Sequence, residues 1–152
     1  MNFEIKKLGA EDIQLAKDLF LFYQVDDEVD KPVIPSDKYL RDILSRDTFH
    51  VIVALNNGVV IGGLTAYELD MYKEETTEIF LYEIAVEPLY RRNGVAKELI
   101  KSLKEVCVSK GFREMYVGTE KDNYPAKKLY KATGGKMEEI AWFVYEIDYC
   151  QI

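Results

Sequence analysis

Arg91-Arg92-Asn93-Gly94-Val95-Ala96 stands between an apolar run with strand character and a stretch with helical spacing. The run before it, Glu78-Ile-Phe-Leu-Tyr-Glu-Ile-Ala-Val86, is rich in aromatic and β-branched residues, as a mostly buried strand is. After it Val95, Leu99, Leu103 and Val106 recur at helical spacing, Ala96, Ile100 and Cys107 widen the stripe, and Lys97, Lys101 and Lys104 fall on the wet side. A strand that turns tightly into a helix aims several unpaired backbone N–H groups at one point, where the helix dipole favours negative charge. Gly94 can take a backbone angle closed to other residues, and Ala96 keeps the first helical turn free of bulk. The hexapeptide reads either as a cradle for a phosphorylated ligand or as an ordinary strand-to-helix connection. It is not a P-loop, because Gly94 is followed by Val95, Ala96, Lys97 and Glu98 and not by Gly-Lys-Ser/Thr, and it lacks the extra glycines and repeated βαβ units of a dinucleotide fold.

Working outward, Phe49–Leu55 and Val59–Tyr67 are β-rich runs flanking Asn56-Asn57-Gly58, a hairpin signal. Three strands are thus joined by short connections before any crossover helix. This order indicates an α+β domain with a mixed, largely antiparallel sheet of about six to seven strands and about four helices. Phe3–Lys6 reads as an opening strand. Ile13, Ala16, Leu19, Phe20 and Tyr23 mark a first helix that ends in the acidic run Asp26–Asp30, and Ser36 can cap a second helix burying Tyr39, Leu40, Ile43 and Leu44. Gly111 ends the long helix, and Phe112–Val117 form a strand parallel to that at Glu78. Asp122 or Asn123 caps a short helix with Ala126, Leu129 and Tyr130 on one face, and Lys136–Ile147 reads as a closing hairpin.

The chain has 152 residues, 48% of them hydrophobic, which suits one domain spanning 1–152 with a real core. No apolar stretch approaches the roughly 20 residues of a membrane span, and the amino terminus lacks a secretion signal, so a cytoplasmic location is expected. Cys107 and Cys150 have neither disulfide-scaffold nor metal spacing, and His50 is the single histidine, so no metal site and no histidine triad are expected. With 27 acidic against 20 basic residues the formal charge is −7, which disfavours nucleic acid and would attract cationic partners, or else merely keeps the chain soluble.

Antiparallel strands, a strand into Arg91-x-x-Gly94-x-Ala96, a helix, a strand, and then Asn123-x-x-Ala126-x-x-Leu129-Tyr130 before a Gly turn resemble the GNAT superfamily of acetyl-CoA-dependent N-acetyltransferases. Within it the chain resembles the gentamicin-type aminoglycoside 3-N-acetyltransferases, through Asp37-x-Tyr39-Leu40, Thr48-Phe49, Val60-Ile-Gly62-x-Leu64-x-Ala66-Tyr67 and Glu78–Val86 running into Arg91-Arg92-x-Gly94. It departs from them in having Glu83 where they tend to have Asp.

The resemblance implies acetyl-CoA as co-substrate, a small-molecule amine as acceptor, direct transfer and a possible homodimer. It implies that the backbone of Ile84, Ala85 and Val86 holds pantetheine and supplies an oxyanion hydrogen bond. The amides of Arg92, Asn93, Gly94, Val95 and Ala96 would hold the diphosphate, with Arg91 and Arg92 adding charge, and Asn123 and Ala126 would complete the cofactor site. Tyr130 is the implied general acid, a phenol of pKa about 10 donating to a thiolate whose conjugate acid lies near 8.5; the other reading is a packed helix-face aromatic.

By strict alternation Glu83 shares a strand face with Ile79, Leu81 and Ala85, where an acid is costly to bury unpaired. A cationic amine would pair with it and make it the base, directly or through water; an exposed edge or an internal ion pair are the other readings. Glu78, Tyr82, Glu146, Asp26 and Asp27 are further candidates for the acceptor side. An aminoglycoside, another small amine such as a polyamine or amino sugar, a peptide amine, and a non-catalytic acyl-CoA-binding regulatory role all fit these residues.

Overall fold

In a computed structural model, which describes residues 1–148, the chain forms one five-stranded sheet in sequence order. The strands are β1 (Glu4–Lys7), β2 (Phe49–Asn56), β3 (Val59–Asp70), β4 (Thr77–Val86) and β5 (Met115–Val117). The first four pair antiparallel and β5 joins β4 in parallel, as the crossover through the long helix requires. The helices are α1 (Ile13–Asp26), α2 (Asp37–Leu44), α3 (Val95–Lys110) and α4 (Tyr124–Ala132). None is long and apolar enough to cross a membrane.

Local chemistry sets these bounds. The Ser36 side chain accepts from the Tyr39 N–H and starts α2, and Asn123 accepts from the Ala126 N–H to start α4. Gly111, left-handed at φ 77°, closes α3. The β2–β3 turn places Asn57 and Gly58 both at positive φ, the geometry a two-residue hairpin needs.

The two faces of the sheet bury different helices. One side carries Ile52, Ala54, Leu64, Ile79 and Leu81 against Leu99, Ile100 and Leu103 of α3; the other carries Val51, Val53 and Leu55 against Leu19 and Tyr23 of α1 and Leu40 and Leu44 of α2. Gly63 makes the second face flat: a Cβ there would stand 2.7 Å from Leu19 Cδ1 and 2.8 Å from the Ile52 carbonyl, so only glycine lets α1 lie this close.

Two expectations are corrected. The closing hairpin is absent among the described residues: 136–148 pair with no strand, which leaves five strands and not six or seven. Trp142, Phe143, Val144 and Tyr145 are each at least 73% exposed, because nothing among the described residues covers them. The second correction is at Glu83. Ala66 pairs with Leu81 but Thr65 pairs with Glu83, so Tyr82 is the extra residue of a β-bulge. The bulge resets the alternation, and Glu83 parts from Ile79 and Leu81; Ala85 packs with the α1-side core while those two pack with α3.

Candidate active site

The turn after β4 leaves its donors free for a local reason. A short 3₁₀ turn, Pro88–Tyr90, leads to Arg92, which is left-handed at φ 62°, and to Gly94 at φ 81°. Asn93 donates its side-chain amide to the carbonyls of Tyr90 and Arg91, which holds the bend. Gly94 is the N-cap of α3, and having no side chain it takes none of the helix's orphan N–H groups, as Ser or Asp would. Among the described residues nothing accepts from the N–H groups of Arg92 through Lys97. Nothing lies within 4 Å of where a Gly94 Cβ would sit. Val95 is buried and anchors the helix start, while Ala96 packs partly on the core and adds no bulk in front.

The β4–β5 gap lies beside this turn. β5 pairs with β4 only from Ile79 to Leu81, so Ile84, Ala85 and Val86 present an outer edge with no strand partner among the described residues. One group on that edge is used: Arg91 Nε donates to the Val86 carbonyl at 2.9 Å. The Arg91 side chain thus turns back onto β4, and its Nη2 reaches Asp26 Oδ1 at 3.4 Å.

Tyr130, on α4, is half-buried against the α3-side core. Its hydroxyl has no partner among the described residues, and burial raises its pKa, which keeps the phenol protonated. Asn123 spends its Oδ1 on the Ala126 N–H; cap and ligand contact need not compete, since the amide nitrogen is a separate donor.

On the α1 face, Glu83 is half-buried with its carboxyl pushed up to about 7, by burial first and then by the charge of Asp27, a hydrogen bond with Asp27 and the charge of Asp26. Asp26 and Asp27 end α1, at the negative end of its dipole, with no basic residue in the last turn. Tyr23 is 6% exposed, and its buried hydroxyl lies beside Thr65 and Glu83. Tyr67 packs edge-on against Tyr82 at 5.7 Å, and the pKa of Tyr67 is raised by burial and by the nearby Tyr82, Tyr39 and Glu83. The result is an acidic cluster flanked by tyrosines, with Arg91 the one cation that reaches it among the described residues.

The structure therefore brings Glu83, Tyr82, Asp26 and Asp27 together. Glu78 does not join them: it lies at the other end of β4, near Tyr116. Glu146 lies on the exposed segment, with no contact to Glu83 among the described residues. Sequence reasoning missed Tyr23, Tyr39, Thr65 and Tyr67 at the site. The Gly62-Gly63 pair inside a strand pattern was the available sign that another backbone or helix comes close there. An open groove between α3 and the end of α4, lined by Lys97, Lys101 and Lys104, lies apart from this chemistry. Among the described residues no group of three or more His, Cys, Asp or Glu is placed to hold a metal ion.

Comparison with known proteins agrees with this geometry. Residues 14–134 match the Acetyltransferase (GNAT) family. An aminoglycoside N(6')-acetyltransferase type 1 of Salmonella typhimurium is 34% identical over 109 residues, 68% of this chain and 75% of the relative. A crystal structure of the aminoglycoside acetyltransferase meta-AAC0020, from an uncultured soil metagenomic sample and in complex with sisomicin, superimposes with a TM-score of 0.91 at 28% identity, covering 96% of this chain and 97% of that one. AAC(6')-Iy in complex with the bisubstrate analogue CoA-S-monomethyl-acetylneamine gives 0.76 at 27% identity, covering 97% and 100%.

These relatives correct the expected likeness to the 3-N enzymes, since those whose names state a position are 6'-N-acetyltransferases. The residues that carried the expectation lie mainly on the donor side and in the sheet, which do not encode the acceptor's position. An unpaired cradle at the start of α3, an open β4 edge and a match over most of the chain lead to one conclusion: the protein belongs to the GNAT family of N-acetyltransferases.

Proposed function

We propose that this enzyme transfers the acetyl group of acetyl-CoA directly to a primary amine of an aminoglycoside, the 6'-amine as in its named relatives. The observation that carries the reading is Glu83: a half-buried acid with its pKa near 7, set among Asp26, Asp27 and tyrosines on the same strand that offers its open edge to the donor. The amine arrives as an ammonium drawn by the three carboxylates. Glu83 removes a proton, directly or through one water, and the freed nitrogen lone pair attacks the thioester carbonyl. The backbone of Ile84 to Val86 donates to the tetrahedral oxyanion. The C–S bond then breaks, the Tyr130 phenol gives its proton to the departing thiolate, and the second proton lost by the nitrogen as the amide forms returns through water to the Tyr130 oxygen, while Glu83 gives its own proton to solvent. The amides of Arg92 to Ala96 hold the diphosphate, and Asn123 and Ala126 border the pantetheine arm. Tyrosine rings beside the acids suit a cationic sugar, which presents both ammonium groups and apolar ring faces.

A thiol-release assay with acetyl-CoA over a panel of aminoglycosides, polyamines and peptides tests this. Turnover with sisomicin or a neamine-type substrate, and a product acetylated at the 6' position by NMR, is expected. Turnover with spermidine or a peptide alone would move the acceptor to another class of amine. Coenzyme A binding without turnover of any amine would make the chain a non-catalytic acyl-CoA-binding domain.

We also infer that the chain works as a homodimer. Trp142, Phe143, Val144 and Tyr145 form a continuous apolar run, as a central strand requires, yet they are exposed, while the outer edge of β5 has no partner strand among the described residues. Tail and open edge belong to every copy, so two copies can satisfy each other around a two-fold axis. Sedimentation is expected to give a dimer, and emission of the single tryptophan, Trp142, to shift blue as concentration rises. A monomer with red-shifted emission at all concentrations overturns this. A cytoplasmic location, where acetyl-CoA is abundant and Cys107 stays reduced, accompanies the reading.

A further inference from the structure

One side chain joins the donor cradle to the acceptor pocket. Arg91 opens the cradle turn and sits three residues before the Gly94 cap; its Nε is committed to the Val86 carbonyl at 2.9 Å, while Nη2 extends to Asp26 Oδ1 at 3.4 Å, bridging 65 positions of sequence. The two contacts differ in kind. The first fixes the guanidinium on β4. The second is long for a charge-assisted bond, which usually measures about 2.7–2.9 Å, and the pair is exposed, 53% for Arg91 and 33% for Asp26, so little is lost on breaking it. Arg91 is the only cation paired with the acids at the end of α1 among the described residues.

We propose that Arg91 is a positioning residue shared between two anions, the Asp26 carboxylate and the diphosphate of the donor, so that donor binding draws its outer nitrogen away and frees Asp26 for the cationic acceptor. The inference rests on the acetyl-CoA and cationic-acceptor reading above. The fork geometry permits the exchange: Nε keeps the Val86 carbonyl while the terminal nitrogens trade a single carboxylate oxygen for a bidentate phosphate contact. An unshielded Asp26 then does two things at once. It adds a full negative charge to the pocket that must hold an ammonium, and it strengthens the repulsion that makes Glu83 a base. Because coupling of two ligands is reciprocal, the amine tightens donor binding by the same factor. An exposed pair of this kind supports a factor of about three to five.

Calorimetric titration of the intact protein with sisomicin, in the presence and absence of saturating coenzyme A, reads this factor without turnover. Coenzyme A is expected to lower the sisomicin Kd about three- to fivefold, and sisomicin to lower the coenzyme A Kd equally. Arg91→Ala and Asp26→Asn, on separate elements, are each expected to bring the factor to one. A purely structural role for Arg91 would instead weaken both ligands and lower the Tm while leaving the factor as it was. Binding of both ligands with a factor of one in the unmodified protein, or a factor that survives both substitutions, overturns this inference alone. No binding of sisomicin or of spermidine under either condition overturns the acceptor reading and this inference with it.

Discussion

The turn proposed to hold the donor and the acidic cluster proposed to take the acceptor are built in opposite ways. The cradle is local: within ten residues, Pro88 to Lys97, one 3₁₀ turn, two left-handed residues and a capless helix start leave a row of N–H groups free. The pocket is assembled from α1, α2, β3 and β4, with Asp26 and Glu83 more than fifty residues apart, and it depends on how closely a helix lies on a sheet. A site made of backbone in one turn survives changes of side chain. A site made of side chains on four elements changes with any of them, which is why one donor serves a superfamily whose acceptors diverge.

The largest separation of the two halves is expected from Glu83→Gln, which acts on the pocket alone. It should lower kcat/KM about 1,000-fold at pH 8 and abolish the rise in rate expected of the unmodified enzyme as pH passes about 7. Its folded-state pKa lies above the ordinary carboxyl value. The protonated form therefore favours folding, and that contribution fades as pH rises from about 4.5 to about 7. The glutamine protein should melt about 3 °C higher than the parent at pH 8 and equal to it at pH 4, the effect being kept small by the half-exposed setting. A parent rate that is flat from pH 6 to 8 would remove Glu83 as the base.

Tyr130→Phe comes next, with kcat down about 100-fold at unchanged coenzyme A affinity, less than for the base because a thiolate leaves fairly well unaided. Gly63→Ala probes the packing that makes the pocket: a methyl driven against Leu19 and the Ile52 carbonyl should cost about 2 kcal/mol in denaturant unfolding and raise KM for the amine more than for acetyl-CoA. Gly94→Val does the reverse. Space is open there but φ is 81°, so the strain should weaken coenzyme A binding about tenfold in calorimetry and leave sisomicin affinity measured alone unchanged. Smallest is Ser36→Ala, which removes the α2 cap for about 1 kcal/mol of stability and tests whether α2, bearing Tyr39, matters to the amine KM.

The legibility of the two halves follows the same division. β4, the turn and α3 could be read from residues because strand propensity, a helix-period stripe and Gly94 are properties of neighbours along the chain. Glu83 could be singled out as an unusual acid in an apolar strand, but not placed: the bulge at Tyr82 reverses its face, and no local residue announces it. The carboxy-terminal run shows the other failure. Its continuous run of aromatic and β-branched residues reports a preference for extended structure, which is real, yet whether a strand finds an edge in its own chain is a question of geometry.

What the amino-acid order determined alone is the elements from β1 to α4, their succession and the turn into α3, since each rests on contacts a few residues apart. The tertiary structure decided which side of the sheet Glu83 faces, which tyrosines surround it, that Arg91 reaches Asp26, and that residues 136–148 stay outside the sheet. Those depend on distances between residues far apart in the chain, and such distances are set by packing of whole layers and by one extra residue in a strand.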